Sequence, residues 1–347
     1  MPPATQSPAP PRSPVAEERL TRVFPLVRRY VAGLLDAYLP GQAHLREPLG
    51  RLVAEGRASP HELSLPLLVH ASMTGDPAPA VPVAAVHALW WRAANAFDDL
   101  ADDHGRPRLY GMPGGVVLTA ALECGYALPL RALAAMEAPG PVREDLTRTY
   151  LDGWTTASNG QLGDLLTRPD SSGPRDVLAV YRDKSGAIYA MACAMAARLA
   201  IGTGHPSRGA AERIAGWRRF GQTLGLLAQF RNDEDDLHGG PGEDLRNQTP
   251  TYLLVHLLST LTGRRRERAL ALLRQAPVSQ ASRAELRSMM TEPTVLRAYH
   301  ARLAGLRDEA YELLGTLAPD CPFGTALGSR VHAETHFLPP GPDDRRP

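Results

Sequence analysis

Cysteine, lysine and long apolar runs are all scarce in this 347-residue sequence. Its three cysteines, Cys124, Cys193 and Cys321, are widely spaced and form neither a CxxC pair nor a metal-ligand pattern. This spacing argues against a disulfide framework and indicates buried thiols in a reducing compartment. The sequence has no run of 18 or more apolar residues and lacks the features of a signal peptide. We therefore expect a cytoplasmic protein without stable membrane insertion.

A strong charge of either sign is also missing. The formal net charge is +1, and the longest basic run is the arginine triplet at 264–266. Neither nucleic-acid binding nor docking on an acidic membrane is therefore indicated. Hydrophobic residues make up 44% and charged residues 22%, which is ordinary for a packed globular protein. The composition favours a small-molecule partner.

The two ends of the chain differ in composition from everything between them. Residues 1–16 are rich in proline and poor in apolar bulk, and residues 339–347 are similar, so both predict disordered tails. Across 17–338 the apolar residues recur at helical spacing, and β-branched runs with a period of two are nearly absent. This pattern predicts one all-α domain of about eleven helices. Such bundles build sites in their interior from facing helices.

The first acidic cluster ends an Ala-rich apolar helix and places four acids within residues 98–103. Asp98 and Asp102 are four residues apart and share a helix face, with Asp99 beside them. Hard oxygen ligands on one turn suit Mg²⁺, which keeps several waters and also binds substrate phosphates. The alternative is a solvated acidic helix end, although acids at a helix C-terminus oppose the helix dipole.

A second cluster follows the apolar stretch 223–228. Asn232, Asp233 and Asp236 reproduce the i, i+1, i+4 spacing of the first cluster. If the two turns face each other across a bundle, three Mg²⁺ ions and a diphosphate could bridge them. The ions would then neutralise the charge that develops on the leaving group.

Lysine occurs at one position only, Lys184, among 38 lysines and arginines. A lysine is a compact point charge suited to a phosphate oxygen, although a single surface lysine could also survive by chance. Gln161 and Asp164 are three residues apart and share a face of a helix that is otherwise apolar around Leu162 and Leu165.

These segments resemble, in the same order along the chain, the motifs of the trans-prenyltransferase (polyprenyl diphosphate synthase) family, which are class I isoprenoid synthases. The matching segments are DDLAD at 98–102 (first aspartate-rich motif), GQLGDL at 160–165 (GQxxDL helix), KSG at 184–186 (KT/KS turn), QFRNDEDD at 229–236 (FQxxDDxxD motif, with Asn232 for its first Asp) and DLRN at 244–247 (D-L-R-x-G-K stretch). The resemblance implies an all-α, single-domain terpenoid-synthase bundle with a central cavity, Mg²⁺ and a bound prenyl diphosphate.

The resemblance also implies roles for the matching positions, and a homodimer, which is common among family members. The implied ligands of the Mg²⁺ ions, three in number by this resemblance, are Asp98, Asp99, Asp102, Asn232, Asp233 and Asp236. The residues implied in ionisation are Asp98, Asp99, Lys184 and Asp233. The residues expected to bind the diphosphate are Arg106, Arg108, Gln161, Asp164, Lys184, Gln229 and Arg231.

Several cations that chain-elongating members use for isopentenyl diphosphate are missing. Glu62 stands where the family's GGKxxRP motif has its lysine, and Leu65 stands where it has its arginine. The arginine pair after the first motif appears only as Arg106 and Arg108, and Thr249 replaces a later lysine. An acid and a leucine cannot replace two cations around a diphosphate, so we expect the second diphosphate site to be lost.

Loss of the elongation site with retention of the ionisation site indicates a terpene cyclase. Three alternatives remain open: elongation, if Arg92, Arg106 and Arg108 supply the missing cations; prenyl transfer to another acceptor; and a non-catalytic partner subunit. The intact first cluster argues against the last of these.

A cyclase needs an apolar, aromatic cavity that shields the cation from water. The candidate lining residues are Trp90, Trp91, Phe97, Tyr189 and Phe230. Small side chains one turn before Asp98, at positions 93 and 94, would leave the tail pocket open for about fifteen or twenty carbons.

Overall fold

The computed structural model describes residues 13–55, 60–101, 110–202, 204–238 and 242–338. These residues form α-helices and no strand, which confirms the all-α prediction. The helices are α1 (Pro14–Tyr38), α2 (Ala43–Glu55), α3 (Pro60–Thr74), α4 (Val81–Ala101), α5 (Gly114–Leu122), α6 (Leu128–Ala134), α7 (Gly140–Leu166), α8 (Pro174–Tyr181), α9 (Ala187–Ile201), α10 (Arg208–His238), α11 (Glu243–Asn247), α12 (Tyr252–Thr260), α13 (Gly263–Gln275), α14 (Gln280–Met290), α15 (Pro293–Leu317) and α16 (Pro322–Thr335).

The described residues thus hold sixteen α-helices, more than the eleven or so expected. Part of the excess comes from two continuous helical rods that are divided by π-helical turns. Glu123–Ala127 connects α5 to α6, and Arg182–Gly186 connects α8 to α9. Each turn contains one isolated glycine, Gly125 or Gly186, and no proline, and a single glycine within a helical pattern does not reveal a π turn.

Helix α1 begins at Pro14, inside the segment 1–16 for which the composition predicts a disordered tail. Ser13 caps α1 by accepting a hydrogen bond from the backbone N–H of Ala16 at 3.3 Å, and Pro14 occupies the first helical turn. Ala16 is fully buried. A serine cap followed by proline is a helix-start signal that the proline-rich composition of the tail hides. Residues 1–12 and 339–347, the rest of the predicted tails, lie outside the described residues.

Helix α9 is the centre of the core. All of its residues from Ala187 to Arg198 are buried, and it packs between α3, α7 and α10. Close approach to α10 depends on glycine, because a Cβ at Gly221 would lie 2.3 Å from the Tyr189 carbonyl oxygen. A Cβ at Gly160 of α7 would likewise lie 2.0 Å from the backbone nitrogen of Lys184. Gly160 thus lets α7 approach the π turn that carries the lysine, and Gly221 lets α10 approach α9.

The rod from Gly114 to Ala134 is long and apolar enough to cross a membrane by length and composition alone. Half of its most apolar 18-residue window is buried inside the fold. A core helix of a soluble protein has the same character, so this one helix is weak evidence for membrane insertion.

Candidate active site

The two motifs and the lysine meet at one cavity of about 510 Å³, which lies between α4, α7, the π turn Arg182–Gly186, α9 and α10. Asp98 of the first motif lines it, together with Gln229 and Asn232 of the second motif and Lys184. This volume falls within the range of small-molecule sites, about 300–1,000 Å³. We call it the main cavity.

Lys184 connects the first motif to the polar face of α7. Its Nζ lies 2.7 Å from Asp164 Oδ2 and 3.3 Å from Asp98 Oδ1. Gln161 Nε2 donates to the same Asp98 oxygen at 2.6 Å. Burial alone would lower the pKa of Lys184, but the Asp164 and Asp98 carboxylates outweigh it and raise the pKa above its ordinary value. The lysine is therefore a permanent cation at the cavity wall.

A chain of hydrogen bonds continues from the lysine's neighbour to the second motif. Ser185 Oγ donates to Gln229 Oε1 at 2.6 Å, and Gln229 Nε2 donates to Asp233 Oδ1 at 3.1 Å. The Tyr181 hydroxyl donates to the other oxygen of Asp233 and accepts the backbone N–H of Tyr252 at 3.0 Å. The π turn is thereby bonded to α10, and the end of α8 is bonded to α10 and α12.

The second motif is divided between two sides of α10. Asn232 lines the main cavity, whereas Asp233 and Asp236 line a separate void of about 10 Å³ next to α11 and α12. Asp236 accepts the backbone N–H groups of Glu243 at 3.0 Å and Asp244 at 3.1 Å. Asn232 and the two aspartates of the second motif therefore line different cavities. Asp233 and Asp236 are bound there by hydrogen bonds to Tyr181, Gln229 and the first turn of α11. The spacing of residues in the sequence does not reveal these partners.

Burial changes the acidity of this side of α10. It raises the pKa of Asp233 well above the usual range, with a further contribution from the nearby Asp244 carboxylate. Burial also raises the pKa of Asp244 to about 7, helped by the Asp236 and Asp164 carboxylates. Acids this close cannot all be ionised at neutral pH without a cation between them.

The remaining predicted residues have mixed outcomes. Asp99 is exposed and accepts a hydrogen bond from the Tyr110 hydroxyl at 2.5 Å. Arg231 lies near Asp235, at 3.4 Å, and Glu334, at 3.7 Å, on a neighbouring cavity rather than the main one. Three further predicted residues lie outside the described ranges: Asp102, Arg106 and Arg108.

The donor set facing the main cavity suits a hard cation. Asp98 keeps 42% of its side chain exposed, and it shares the cavity wall with the amide of Asn232. Among the described residues no group of three or more His, Cys, Asp or Glu is arranged to hold a metal ion. A sparse set of oxygen donors fits Mg²⁺, which retains waters and takes further ligands from substrate phosphates.

The inner wall of the main cavity is aromatic. Trp154 of α7 packs edge-on against Trp90 at 6.5 Å and Phe97 at 6.3 Å between ring centroids, and Trp90 packs against Trp91 at 5.7 Å. The sequence analysis missed Trp154. It precedes Gln161 by seven residues, two helical turns on the same face, and this spacing is the signal that could have identified it.

Other lining predictions divide between cavity and core. Ala94 and Trp90 line the main cavity as expected. Ala93 is instead fully buried. It packs so closely on Gly125 that a Cβ added at that glycine would lie 2.4 Å from the Ala93 Cβ. Phe230 is also fully buried and packs against Tyr181, Tyr252 and Tyr299. These two are core residues.

The sequence model of the polyprenyl synthetase family matches residues 93–290. This region spans both acidic clusters and Lys184, and it covers more than half of the chain. The chain therefore belongs to the polyprenyl synthetase family, and it is an enzyme of the class I isoprenoid synthase type. No curated protein matches it in sequence.

Solved structures of prenyl synthases share the fold. A decaprenyl diphosphate synthase from Rhodobacter capsulatus aligns with a TM-score of 0.75 and 17% identity, covering 92% of this chain and 99% of that one. A geranylgeranyl pyrophosphate synthetase from Pyrococcus horikoshii Ot3 aligns with a TM-score of 0.73 and 17% identity, covering 92% and 98%. A polyprenyl synthetase from Streptomyces coelicolor A3(2) gives 0.71 and 19%, covering 93% and 98%. At these identities the likeness establishes the fold alone.

Proposed function

We propose that this protein ionises an allylic prenyl diphosphate with the help of Mg²⁺ and releases diphosphate. The observation that carries the proposal is the placement of Lys184 between Asp98 and Asp164 at the wall of an aromatic cavity that Gln229 and Asn232 also line. A charged group for the diphosphate and an apolar region for the prenyl chain thus share one site.

Mg²⁺, when bound, supplies positive charge that neutralises the departing diphosphate. In this proposal Asp98, Asp99 and Asp102 of the first motif would hold two ions. Asn232, Asp233 and Asp236 of the second motif would hold a third. Lys184 binds a diphosphate oxygen directly and is held in place by Asp164. Gln161 orients Asp98 through its 2.6 Å hydrogen bond. Arg106 and Arg108 are the further cations proposed for the diphosphate.

We further propose that the allylic cation cyclises, which makes the enzyme a terpene cyclase. The faces of aromatic rings stabilise cations, most strongly in a site that excludes water. Trp90, Trp91, Phe97 and Trp154 supply such faces in the main cavity. Leu65, at the position of the family's elongation arginine, is fully buried in α3, so it contributes to the core and offers no cation to a second diphosphate.

Chain elongation with isopentenyl diphosphate is the second candidate. The family match favours it, and so do two arginines, Arg231 and Arg330, that line a cavity next to the main one. Two carboxylates, Asp235 and Glu334, line that same cavity. Because their charge cancels that of the arginines, the adjoining cavity lacks the net positive charge that a diphosphate requires.

Product analysis separates the two candidates. We would incubate the purified protein and Mg²⁺ with geranyl, farnesyl or geranylgeranyl diphosphate, each with and without isopentenyl diphosphate. Diphosphate release and organic products would be measured by phosphate assay and mass spectrometry. Cyclisation predicts hydrocarbons or cyclic alcohols without isopentenyl diphosphate. They should disappear in Asp98→Ala and persist in Asp152→Ala, a control that removes an exposed carboxylate from α7.

Longer diphosphates formed only with isopentenyl diphosphate would instead show elongation. Absence of diphosphate release from every substrate would contradict the ionisation proposal itself and favour a non-catalytic subunit.

We also propose a homodimer formed by an exposed apolar face. Leu118, Leu122 and Tyr126 are spaced four residues apart along the rod Gly114–Ala134 and are 45–51% exposed. Tyr126 packs on Trp154 at 5.9 Å, and Leu162 of α7, 59% exposed, lines the main cavity. A second copy covering this face would also close the cavity. Light scattering should show a dimer that Leu122→Glu disrupts and that the exposed control Val278→Glu leaves intact.

A further inference from the structure

A second cavity of about 300 Å³ adjoins the main cavity, and we call it the side cavity. Its wall carries four charged side chains, from Arg231, Asp235, Arg330 and Glu334. The Asp235 side chain is 61% exposed, so the side cavity is open to solvent there. Charged groups hold water strongly, and we therefore expect this cavity to be hydrated.

The two cavities share one wall, made by Trp91, Asn95, Ser185, Gln229 and Asn232. Trp91 is the only aromatic residue and the largest side chain among these five. On its main-cavity side are the rings of Trp90 and Phe97, and on its side-cavity side are the charged groups. The indole therefore stands between an aromatic surface and a polar one.

Trp91 is fixed in this position by three neighbours. Its Nε1–H donates to His87 Nε2 at 3.1 Å, and its ring packs edge-on against Trp90 at 5.7 Å and Tyr189 at 5.8 Å. His87 is fully buried, and burial, followed by the charge of Arg330, lowers its pKa to about 3. The imidazole is therefore neutral at physiological pH, so its Nε2 remains available as an acceptor.

We propose that Trp91 is the partition that keeps the water of the side cavity away from the allylic cation, and so determines whether the cation loses a proton or is captured by water. This inference rests on the proposed ionisation of a prenyl diphosphate. His87 acts as a positioning residue, because it fixes the indole across the shared wall.

The two outcomes differ in the bond formed at the cation. With the partition in place, a C–H bond next to a cationic carbon breaks, the released diphosphate takes up the proton, and an olefinic hydrocarbon results. With the partition removed, a water oxygen forms a bond to the cationic carbon and then loses a proton to solvent or diphosphate, which gives a prenyl or cyclic alcohol. Neither path needs an oxidant or reductant.

The test compares Trp91→Ala with Trp90→Ala. Both changes remove an indole from the main cavity, but only Trp91 also lines the side cavity. For each protein, alcohol products are measured per diphosphate released. We expect the alcohol fraction to rise about tenfold in Trp91→Ala, because exclusion of water is lost at that wall. Oxygen from ¹⁸O-labelled water should appear in the alcohol.

His87→Leu provides a milder variant that keeps the indole but removes its acceptor. An alcohol fraction between those of the wild type and Trp91→Ala would support the positioning role. An equal rise in Trp90→Ala, or no rise in Trp91→Ala, would overturn the partition. If Trp91→Ala does not fold, Trp91→Leu, which also opens the wall, replaces it in the same comparison.

The partition and the ionisation proposal can fail separately. If the wild type releases no diphosphate, ionisation is wrong. The partition is then judged from crystal structures of the two variants. It predicts ordered waters running continuously from the side cavity into the main cavity in Trp91→Ala and not in Trp90→Ala. Two cavities that stay separate in both variants would contradict it.

Discussion

The two acidic clusters share a spacing in the sequence but lie in different environments. Asp98 is half exposed at the main cavity and bonded to groups that can rearrange, Gln161 and Lys184. Asp233 is buried, with both oxygens taken by Tyr181 and Gln229. The difference is that Asp98 faces the main cavity, whereas the carboxylates of Asp233 and Asp236 are engaged in hydrogen bonds to neighbouring elements of the fold.

The largest expected effect falls on the exposed cluster. Asp98→Asn should lower the rate of diphosphate release by about 10³-fold, since the neutral amide gives up a charge that acts on the transition state. The free energy of unfolding should change by less than about 1 kcal/mol, because the side chain is half exposed. Steady-state kinetics and urea titration measure both. A large loss of stability with little loss of rate would reverse the proposed division of roles.

The buried cluster should show the opposite balance. Asp233→Ala leaves the buried Tyr181 hydroxyl and the half-buried Gln229 amide without their acceptor, which should reduce the free energy of unfolding by about 2–3 kcal/mol. Thermal unfolding of the metal-free protein measures this change. Asp235→Ala, which removes an exposed carboxylate from the same helix, is the matched control and should have little effect on stability. Equal stabilities of the two variants would mean that Asp233 has no structural role.

The pH dependence of stability should show the effect of the buried carboxyl group of Asp244. The folded pKa of Asp244, about 7, lies above its ordinary value of 3.8, so the folded state retains a proton that the unfolded state has lost. The contribution of Asp244 to the free energy of unfolding of the metal-free protein should therefore be largest at low pH. It should be lost as the pH rises from the ordinary pKa of the group through about 7. Asp244→Asn should flatten that fall in urea titrations at pH 5, 6, 7 and 8. An unchanged slope would show that Asp244 is not the group responsible.

The smallest effect is expected at Asp236, whose carboxylate accepts two backbone N–H groups at the start of α11. Asp236→Asn keeps one acceptor oxygen and removes a charge from the acidic group that includes Asp244. We expect a stability change within about 1 kcal/mol in either direction, measured by urea unfolding without metal. A loss as large as that of Asp233→Ala would show that Asp236 is as structurally important as its neighbour.

Several elements of the site could be read from residues close together in sequence. Helical periodicity gave the all-α class, and the three-residue spacing of Gln161 and Asp164 predicted that they share one helix face. The structure bonds Gln161 to Asp98 and Asp164 to Lys184. The spacing of Trp154 from Gln161 could place it on the same face of α7, but its packing against Trp90 and Phe97 could not be predicted, because those residues come from a helix more than fifty residues away.

The spacing of the second motif likewise does not reveal the neighbours of its side chains. An i, i+1, i+4 set describes angles around one helix axis, and it carries no information on which neighbouring helices donate hydrogen bonds. Tyr181 and the first turn of α11 bind Asp233 and Asp236, and those partners are defined only when α8, α10 and α11 pack together.

The sequence by itself determined the helical class, the family and the two acidic turns with the single lysine, because periodicity, composition and short motifs are local properties of the chain. Tertiary structure alone decided which acids face the main cavity, which aromatic rings line it, and that Trp91 lines both the main cavity and the side cavity. Those features depend on the packing of α4, α7, α9 and α10, where side chains distant in sequence come within a few ångströms of one another.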